Sequence, residues 1–371
     1  MKFSISSATL SKQLTAINGV ISNNPIMPIL ENFLFEVADD RLKITASDLQ
    51  TSISTELAIE TQEQAKIAIP ARILLDTLRN LPEQPITFVI DESAYNVEIH
   101  SDNGHYTLAG ENAADFPQVA TVAADVAVNV TAEVLKKAIQ QTIIATSSDE
   151  LRPAMNGVYM NFSEQGATFV ATDGHRLVRY IRADIHATAQ HPFIIPRKTL
   201  TLLTGLLPNS DQEVGITFGE ANVHFQIDNT NMVSRLIDER YPDYENVIPQ
   251  NNPNKLTIDR AALLSSLKRI AIYANRTTHQ VKLTLAANEL QVLAEDLDFS
   301  NKADERLSCE YEGHNLEIGF NAKLLMELLN SLSSKEVVIH FSEPNRAALI
   351  APQEKEAAEE VLLLIMPVLL Q

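Results

Sequence analysis

Apolar and polar residues alternate at Phe3-Ser4-Ile5, and the period then lengthens to helical spacing at Leu10, Leu14, Ile17 and Ile21, with Ser6 placed as an N-cap between them. The layout returns at Val128-Asn129-Val130, Thr131, Leu135, Ile139 and at Leu256-Thr257-Ile258, Asp259, Leu263, Leu267. Short strands are predicted after each helix: Asn32 to Val37 and Leu42 to Ala46; Val158 to Phe162 and Ala167 to Ala171; Val281 to Leu285 and Leu290 to Ala294. Each third then repeats its own layout. Ile67 to Arg72 leads into Leu74, Leu75 and Leu78; Phe193 to Lys198 into Leu200, Leu203 and Leu206; Ile318 to Lys323 into Leu324, Leu325 and Leu328. Pro70 and Pro196 suit the first turn of a helix, where a missing N–H costs nothing.

The spacing predicts helices over 8–21, 70–81, 132–145, 196–207, 260–275 and 321–332, in six strand-helix-strands units paired into three domains. Those domains are expected at 1–120, 125–248 and 253–371. Two aromatic-Pro turns mark the joins, Asp115-Phe116-Pro117-Gln118-Val119 and Arg240-Tyr241-Pro242-Asp243-Tyr244, the second followed by Pro249 to Asn254.

An Ala-x-Asp closes an apolar run three times, at Asp48, Asp173 and Asp296. Only the middle copy continues into Gly174-His175-Arg176-Leu177, so the repeat argues for architecture and the extension for a site. Asp173 and His175, one residue apart on a strand, would share a face. Nothing nearby supplies a nucleophile, and Asp48 and Asp296 lack the histidine, so Asp173 is read as a turn residue and no enzyme is expected.

Composition narrows the classes. The single Cys309 forms no internal disulfide, which suits a reducing compartment. The segment from Met1 to Ser7 carries no signal-peptide pattern, and the apolar run Val361 to Leu370 is too short to span a bilayer. That run is read as a buried C-terminal strand. A cytoplasmic protein is expected. Nine histidines lack metal-ligand spacing and 11 glycines include no phosphate loop, so neither metal nor cofactor is expected.

The net charge of −19 argues against nucleic acid until the charges are placed. The predicted helices carry Lys12, Arg72, Arg79, Lys136, Lys137, Arg197, Lys198, Arg260, Lys268, Arg269 and Lys323 against Asp76, Glu133 and Glu327. An acidic chain with basic helices results. Lys and Arg are also good helix formers, so a solvated helix surface explains the charge equally well. If the helices share one side of the sheets, that side offers sequence-independent contacts to phosphates.

The sequence resembles the β sliding clamps, the β subunits of bacterial DNA polymerase III. The resemblance covers the whole chain, through Met1-Lys2-Phe3, Pro28-Ile29-Leu30, Asp115-Phe116-Pro117, Asn156-Gly157, Ala171 to Leu177, Ile195 to Lys198, Tyr241 to Tyr244 and Met366-Pro367-Val368. It implies an α+β fold of three repeated clamp domains, each with two helices on antiparallel sheets. Two chains would join head to tail as a homodimeric ring with helices lining the hole. Such a ring encircles duplex DNA, slides without sequence specificity and tethers the replicative polymerase. A clamp loader using ATP opens it.

By the same resemblance, partner peptides from polymerase, loader and repair proteins would share one groove. Thr172, Gly174, His175, Arg176, Leu177, Pro242, Val247, Leu364, Ile365, Met366, Pro367 and Val368 match it. Asn246 stands where some clamps have a basic residue, and Leu369-Leu370-Gln371 replaces a common Arg-Leu ending. Residues expected to face DNA are Lys12, Arg72, Arg79, Lys136, Lys137, Arg197, Lys198, Lys268, Arg269, Asn24 and Arg152, the last two from the loops around Asn23 to Pro25 and Ser147 to Arg152. The subunit junction would set Tyr106 and Leu108 against Ile272 and Tyr273, with Glu295, Asp296 and Asp298 facing basic groups across it. A nucleoid-associated protein in the cytoplasm follows. The competing class is a repeat scaffold that binds partner peptides and no DNA.

Overall fold

The computed structural model describes residues 1–61, 63–120, 122, 126–188 and 190–370. Asp125, the expected start of the central domain, and Gln371 of the C-terminal tail lie outside the described residues. Six α-helices are formed among those described: α1 Ser7–Ile17, α2 Ala71–Asn80, α3 Ala132–Ile143, α4 Arg197–Leu206, α5 Arg260–Ile270 and α6 Ala322–Ser331. None is long and apolar enough to cross a membrane.

Local chemistry sets the helix starts. Thr9 donates its N–H to Ser6 Oγ at 3.3 Å, Ala262 to Asp259 Oδ1 at 2.8 Å and Lys323 to Asn321 Oδ1 at 3.0 Å. Pro70 and Pro196 stand one residue earlier than expected, Pro70 as the N-cap of α2 and Pro196 as the last residue of the strand before α4. The predicted C-terminal ends of α1 and α5 tighten into single 3-10 turns, Asn18–Val20 and Ala271–Tyr273.

The chain divides into two compact units, residues 1–134 with 198–236 and residues 135–197 with 237–371. Among the described residues each contains one four-stranded and one nine-stranded sheet, antiparallel throughout. In the first unit the small sheet runs Lys2–Ser6, Pro85–Asp91, Asn96–His100, His105–Ala109. Its large sheet joins strands of the first third to strands of the second where Thr51–Ala58 pairs with Thr230–Arg235. The second unit repeats the device, Arg176–Arg182 pairing with Glu359–Ile365, and its small sheet runs Asn301–Ser308, Glu289–Asp296, Gln280–Ala286, Leu316–Asn321.

Helix pairs cover the sheets of each unit. In the first, α1 buries Leu10, Leu14 and Ile17 and packs on α2, which buries Leu74, Leu75 and Leu78. In the second, α5 buries Leu263 and Leu267 and packs on α6, which buries Leu325 and Leu328. The aromatic-Pro turns are anchors as well as joins. Phe116 is buried with Ile29 and Leu30 in the first unit, and Tyr241 with Leu177 and Leu364 in the second.

Candidate functional site

The three Ala-x-Asp repeats are one turn built three times. Asp48 Oδ1 accepts the N–H of Gln50 and Thr51 at 3.0 and 2.7 Å, Asp173 Oδ1 those of His175 and Arg176 at 2.9 Å each, and Asp296 Oδ1 that of Asp298 at 3.1 Å. Asp173 and His175 therefore lie in a turn after the strand Gly166–Thr172 rather than on the strand. The residue after the aspartate takes left-handed φ in two copies, Leu49 at φ 75 and Gly174 at φ 88. Glycine adopts that conformation without strain.

What the middle copy adds is an anchored arginine. Arg176 is buried, its Nε donating to Asp173 Oδ2 at 3.1 Å and its Nη1 to Glu327 Oε2 of α6 at 2.6 Å. Thr172 Oγ1 donates to the Arg176 carbonyl at 2.7 Å and accepts from Gly174 N–H at 3.1 Å. Side-chain and backbone bonds thus brace the turn, and His175 stands exposed on it. Met366 donates its N–H to the His175 carbonyl at 2.8 Å, so the C-terminal segment is tied to the same turn. Beside it lies a cleft of about 870 Å³ lined by Gln140, Asp149, Arg152, His175, Arg176, Arg197 and Glu327.

The apolar floor follows from strand register. Leu177 stands directly opposite Thr172 on one side and Leu364 on the other, and Leu364 stands opposite Leu349. Leu177 and Leu364 join Val170, Ile194, Tyr241 and Ala347 in one buried cluster, with Tyr159, Tyr244 and Ile248 packed on it. Tyr159 stacks on Tyr241 with ring centroids 5.0 Å apart. Burial raises the phenol pKa of Tyr159 and Tyr241, and that of Tyr244 to about 12 with help from the Glu245 carboxylate.

Around this floor Val247 is 56% exposed and Met366 41%, while Pro242, Pro367 and Val368 are half-buried. Ile365 does not belong to it. Alternation along Glu359–Ile365 turns Ile365 to the opposite face, opposite Arg176, where it is fully buried. The expected strand from Val361 to Leu370 also stops at Ile365, because Pro367 follows and Val368 instead donates its N–H to Gly319 O at 2.9 Å. A Cβ on Gly319 would lie 2.7 Å from that residue's carbonyl oxygen, so the approach needs glycine. Asn246 donates to Asp243 Oδ2 at 2.6 Å.

The basic residues fall into two groups. Lys12, Arg72, Arg79 and Lys268 are exposed and make no ion pair among the described residues, and Lys136 is half-buried. Others are held by carboxylates: Lys137 by Glu356 at 2.9 Å and Glu359 at 2.6 Å, Arg269 by both oxygens of Glu305 at 2.6 Å, and Lys198 by Asp48. Asn24 is exposed. Arg152 is exposed and bonded to Asp149 at 2.9 Å, in an ordered turn where Ser147 donates its N–H to Met155 O. It lines the cleft beside His175 together with Arg197, a proximity that sequence spacing does not reveal.

At the sheet ends, Tyr106 is half-buried and Leu108 buried on the edge strand of the first unit. In the second unit Ile272 and Tyr273 are exposed, together with Leu297 at 78% and Phe299 at 64%, which sequence reasoning passed over. Asp296 does not face outward as expected. It is buried and satisfied by the N–H of Asp298.

Models of the DNA polymerase III beta subunit match in three consecutive parts: N-terminal domain at residues 1–120, central domain at 129–243 and C-terminal domain at 245–368. The beta sliding clamp of Vibrio cholerae serotype O1 is 30% identical over 370 residues, covering 99% of this chain and 100% of that one. The chain belongs to the DNA polymerase III beta subunit family. The beta sliding clamp of Escherichia coli K12 is 28% identical over 99% of both chains. A crystal structure of the Pseudomonas aeruginosa sliding clamp bound to griselimycin matches with TM-score 0.94 at 29% identity over the full length of both chains. The three-domain sliding-clamp fold and the role of DNA polymerase processivity factor follow from this membership.

Proposed function

We propose that two copies of this chain close head to tail into a ring around duplex DNA and recruit partners through the groove floored by Leu177 and Leu364. The observation that carries the groove is the pairing of a buried apolar floor with exposed Val247, Met366 and His175 on an anchored frame. Such a site accepts a short peptide with apolar anchors and a hydrogen-bonding side chain. Polymerase, clamp loader and repair proteins would compete for it. The clamp relative solved with griselimycin supports ligand binding by this fold.

Ring closure is supported by the ends of the small sheets. His105–Ala109 and Asn301–Ser308 are each the last strand of a sheet, and an open edge is a template for pairing with another chain. Exposed Ile272, Tyr273, Leu297 and Phe299 beside the second edge supply apolar surface for a subunit contact. Sliding needs only weak phosphate contacts, which Lys12, Arg72, Arg79 and Lys268 would provide together with Lys136, Lys137, Arg197, Lys198 and Arg269, of which Lys137, Lys198 and Arg269 are tempered by carboxylates. Topology, rather than affinity, then holds the DNA.

The test is retention on a nicked circular plasmid after incubation with an active clamp loader and ATP. Release only when the DNA is cut supports the ring. No retention, with a loader proven on another clamp, leaves a peptide scaffold as the better account.

A further inference from the structure

The hairpin formed by Asn96–His100 and His105–Ala109 gathers three metal-ligating side chains on one face. His100 and His105 are directly opposite each other in the register, and Glu98 lies two residues before His100, so the period of the strand turns all three the same way. Their partners on the other face, Val97, Ile99 and Leu108, are buried. Glu98 Oε2 lies 3.3 Å from His100 Nε2 and 3.3 Å from His105 Nε2, and one ligand atom from each residue lies within 4.8 Å of the others.

We propose that Glu98, His100 and His105 bind a divalent transition-metal ion, with Zn2+ the best fit. At metal–ligand bonds of about 2.0–2.2 Å, tetrahedral ligand atoms stand about 3.3–3.6 Å apart, the spacing that Glu98 Oε2 keeps to each imidazole. Two imidazoles and one carboxylate suit Zn2+, whereas Mg2+ and Ca2+ prefer oxygen ligands alone. The imidazole rings lie 4.4 Å apart and 23° from parallel. A rotation of each ring about its Cβ–Cγ bond would turn both in-plane Nε2 lone pairs towards one ion beside Glu98 Oε2.

The surroundings hold the ligands in place. Asn96 Nδ2 donates to Glu98 Oε1 at 3.4 Å, which occupies one carboxylate oxygen and leaves Oε2 for the ion. The turn is closed by Ser101, which donates both its N–H and its hydroxyl to the Gly104 carbonyl at 2.9 and 3.2 Å. All three side chains are partly exposed, so water completes the coordination. An ion here would staple the outermost strand of the first small sheet to its neighbour.

The test is calorimetric titration of the metal-stripped full chain with Zn2+, alongside Co2+ absorption spectra that report nitrogen ligation. The expected result is one equivalent per chain, with affinity falling about tenfold or more in each of Glu98→Gln, His100→Asn and His105→Asn. These positions are on the solvent face, and circular dichroism of each variant checks that the fold is kept. Failure of the wild type to bind micromolar Zn2+ overturns the site. So does binding that all three folded variants retain, which would place the metal on other histidines.

Discussion

Arg176 Nη1 sits 2.6 Å from Glu327 Oε2, a bond that ties the turn after Gly166–Thr172 to an exposed carboxylate of α6. Arg176 is 7% exposed and holds Asp173 at the same time, so its removal leaves a half-buried carboxylate without its partner. Arg176→Ala is expected to cost about 2 kcal/mol, and Arg176→Lys to recover only part, because the ammonium cannot reach both carboxylates as a fork does. Chemical denaturation of both variants measures the two losses.

Gly174 has φ 88, and an added Cβ would lie 3.0 Å from Arg152 Nη1. The arginine is exposed and can swing away, so the backbone conformation sets the cost. Gly174→Ala is expected to destabilise by about 1–2 kcal/mol and to weaken partner-peptide binding by displacing His175. An Arg152→Ala background that rescued the stability would instead assign the cost to the side-chain contact.

Met366 and Val247 are exposed, while Leu177 and Leu364 are buried beneath them. Met366→Glu and Val247→Glu should each reduce affinity for partner peptides at least about tenfold with the thermal midpoint almost unchanged. Leu364→Ala should lose both affinity and about 2–5 kcal/mol of stability. Fluorescence-polarisation binding with matched thermal melts separates the two patterns.

The Arg269 guanidinium bonds both oxygens of Glu305 and lowers its pKa from the ordinary 4.5 to about 2. A depressed carboxylate contributes stability that is complete above pH 4.5 and disappears as the pH falls towards 2. Glu305→Gln should therefore melt close to wild type below that window and at a lower temperature above it. Because the substitution also releases Arg269, it should strengthen low-salt binding to linear duplex and steepen its salt dependence.

Ile272 and Phe299 are 77% and 64% exposed in the second unit. A carboxylate placed in an apolar subunit contact loses its hydration, so Ile272→Asp and Phe299→Asp should shift the chain from dimer to monomer in sedimentation velocity without changing its far-ultraviolet dichroism. Dimers that survive both changes would move the junction elsewhere.

The repeat was legible because it rests on local signals. Caps at Ser6 and Asp259 and leucines at helical spacing place the starts of α1, α5 and α6 within one residue of where they form. The aspartates of the three turns declare themselves by position. What depends on register was not legible. Nothing in the spacing says that Leu177 faces Leu364 across two strands, that Ile365 turns to the other face, or that Glu98, His100 and His105 meet on one hairpin. The expected outward role of Asp296 failed for a related reason: the carboxylate that builds the turn has no freedom left to reach across an interface.

The large sheets have a consequence for how such a chain can be assembled from gene copies. Each is made half from one third of the polypeptide and half from the next, and the outer thirds each keep a four-stranded sheet of their own. A duplicated copy inserted between two others finds a half-sheet waiting on either side, so the series can lengthen without new interfaces being invented. The number of repeats in one polypeptide can then change by gene fusion while each join reuses the same strand pairing.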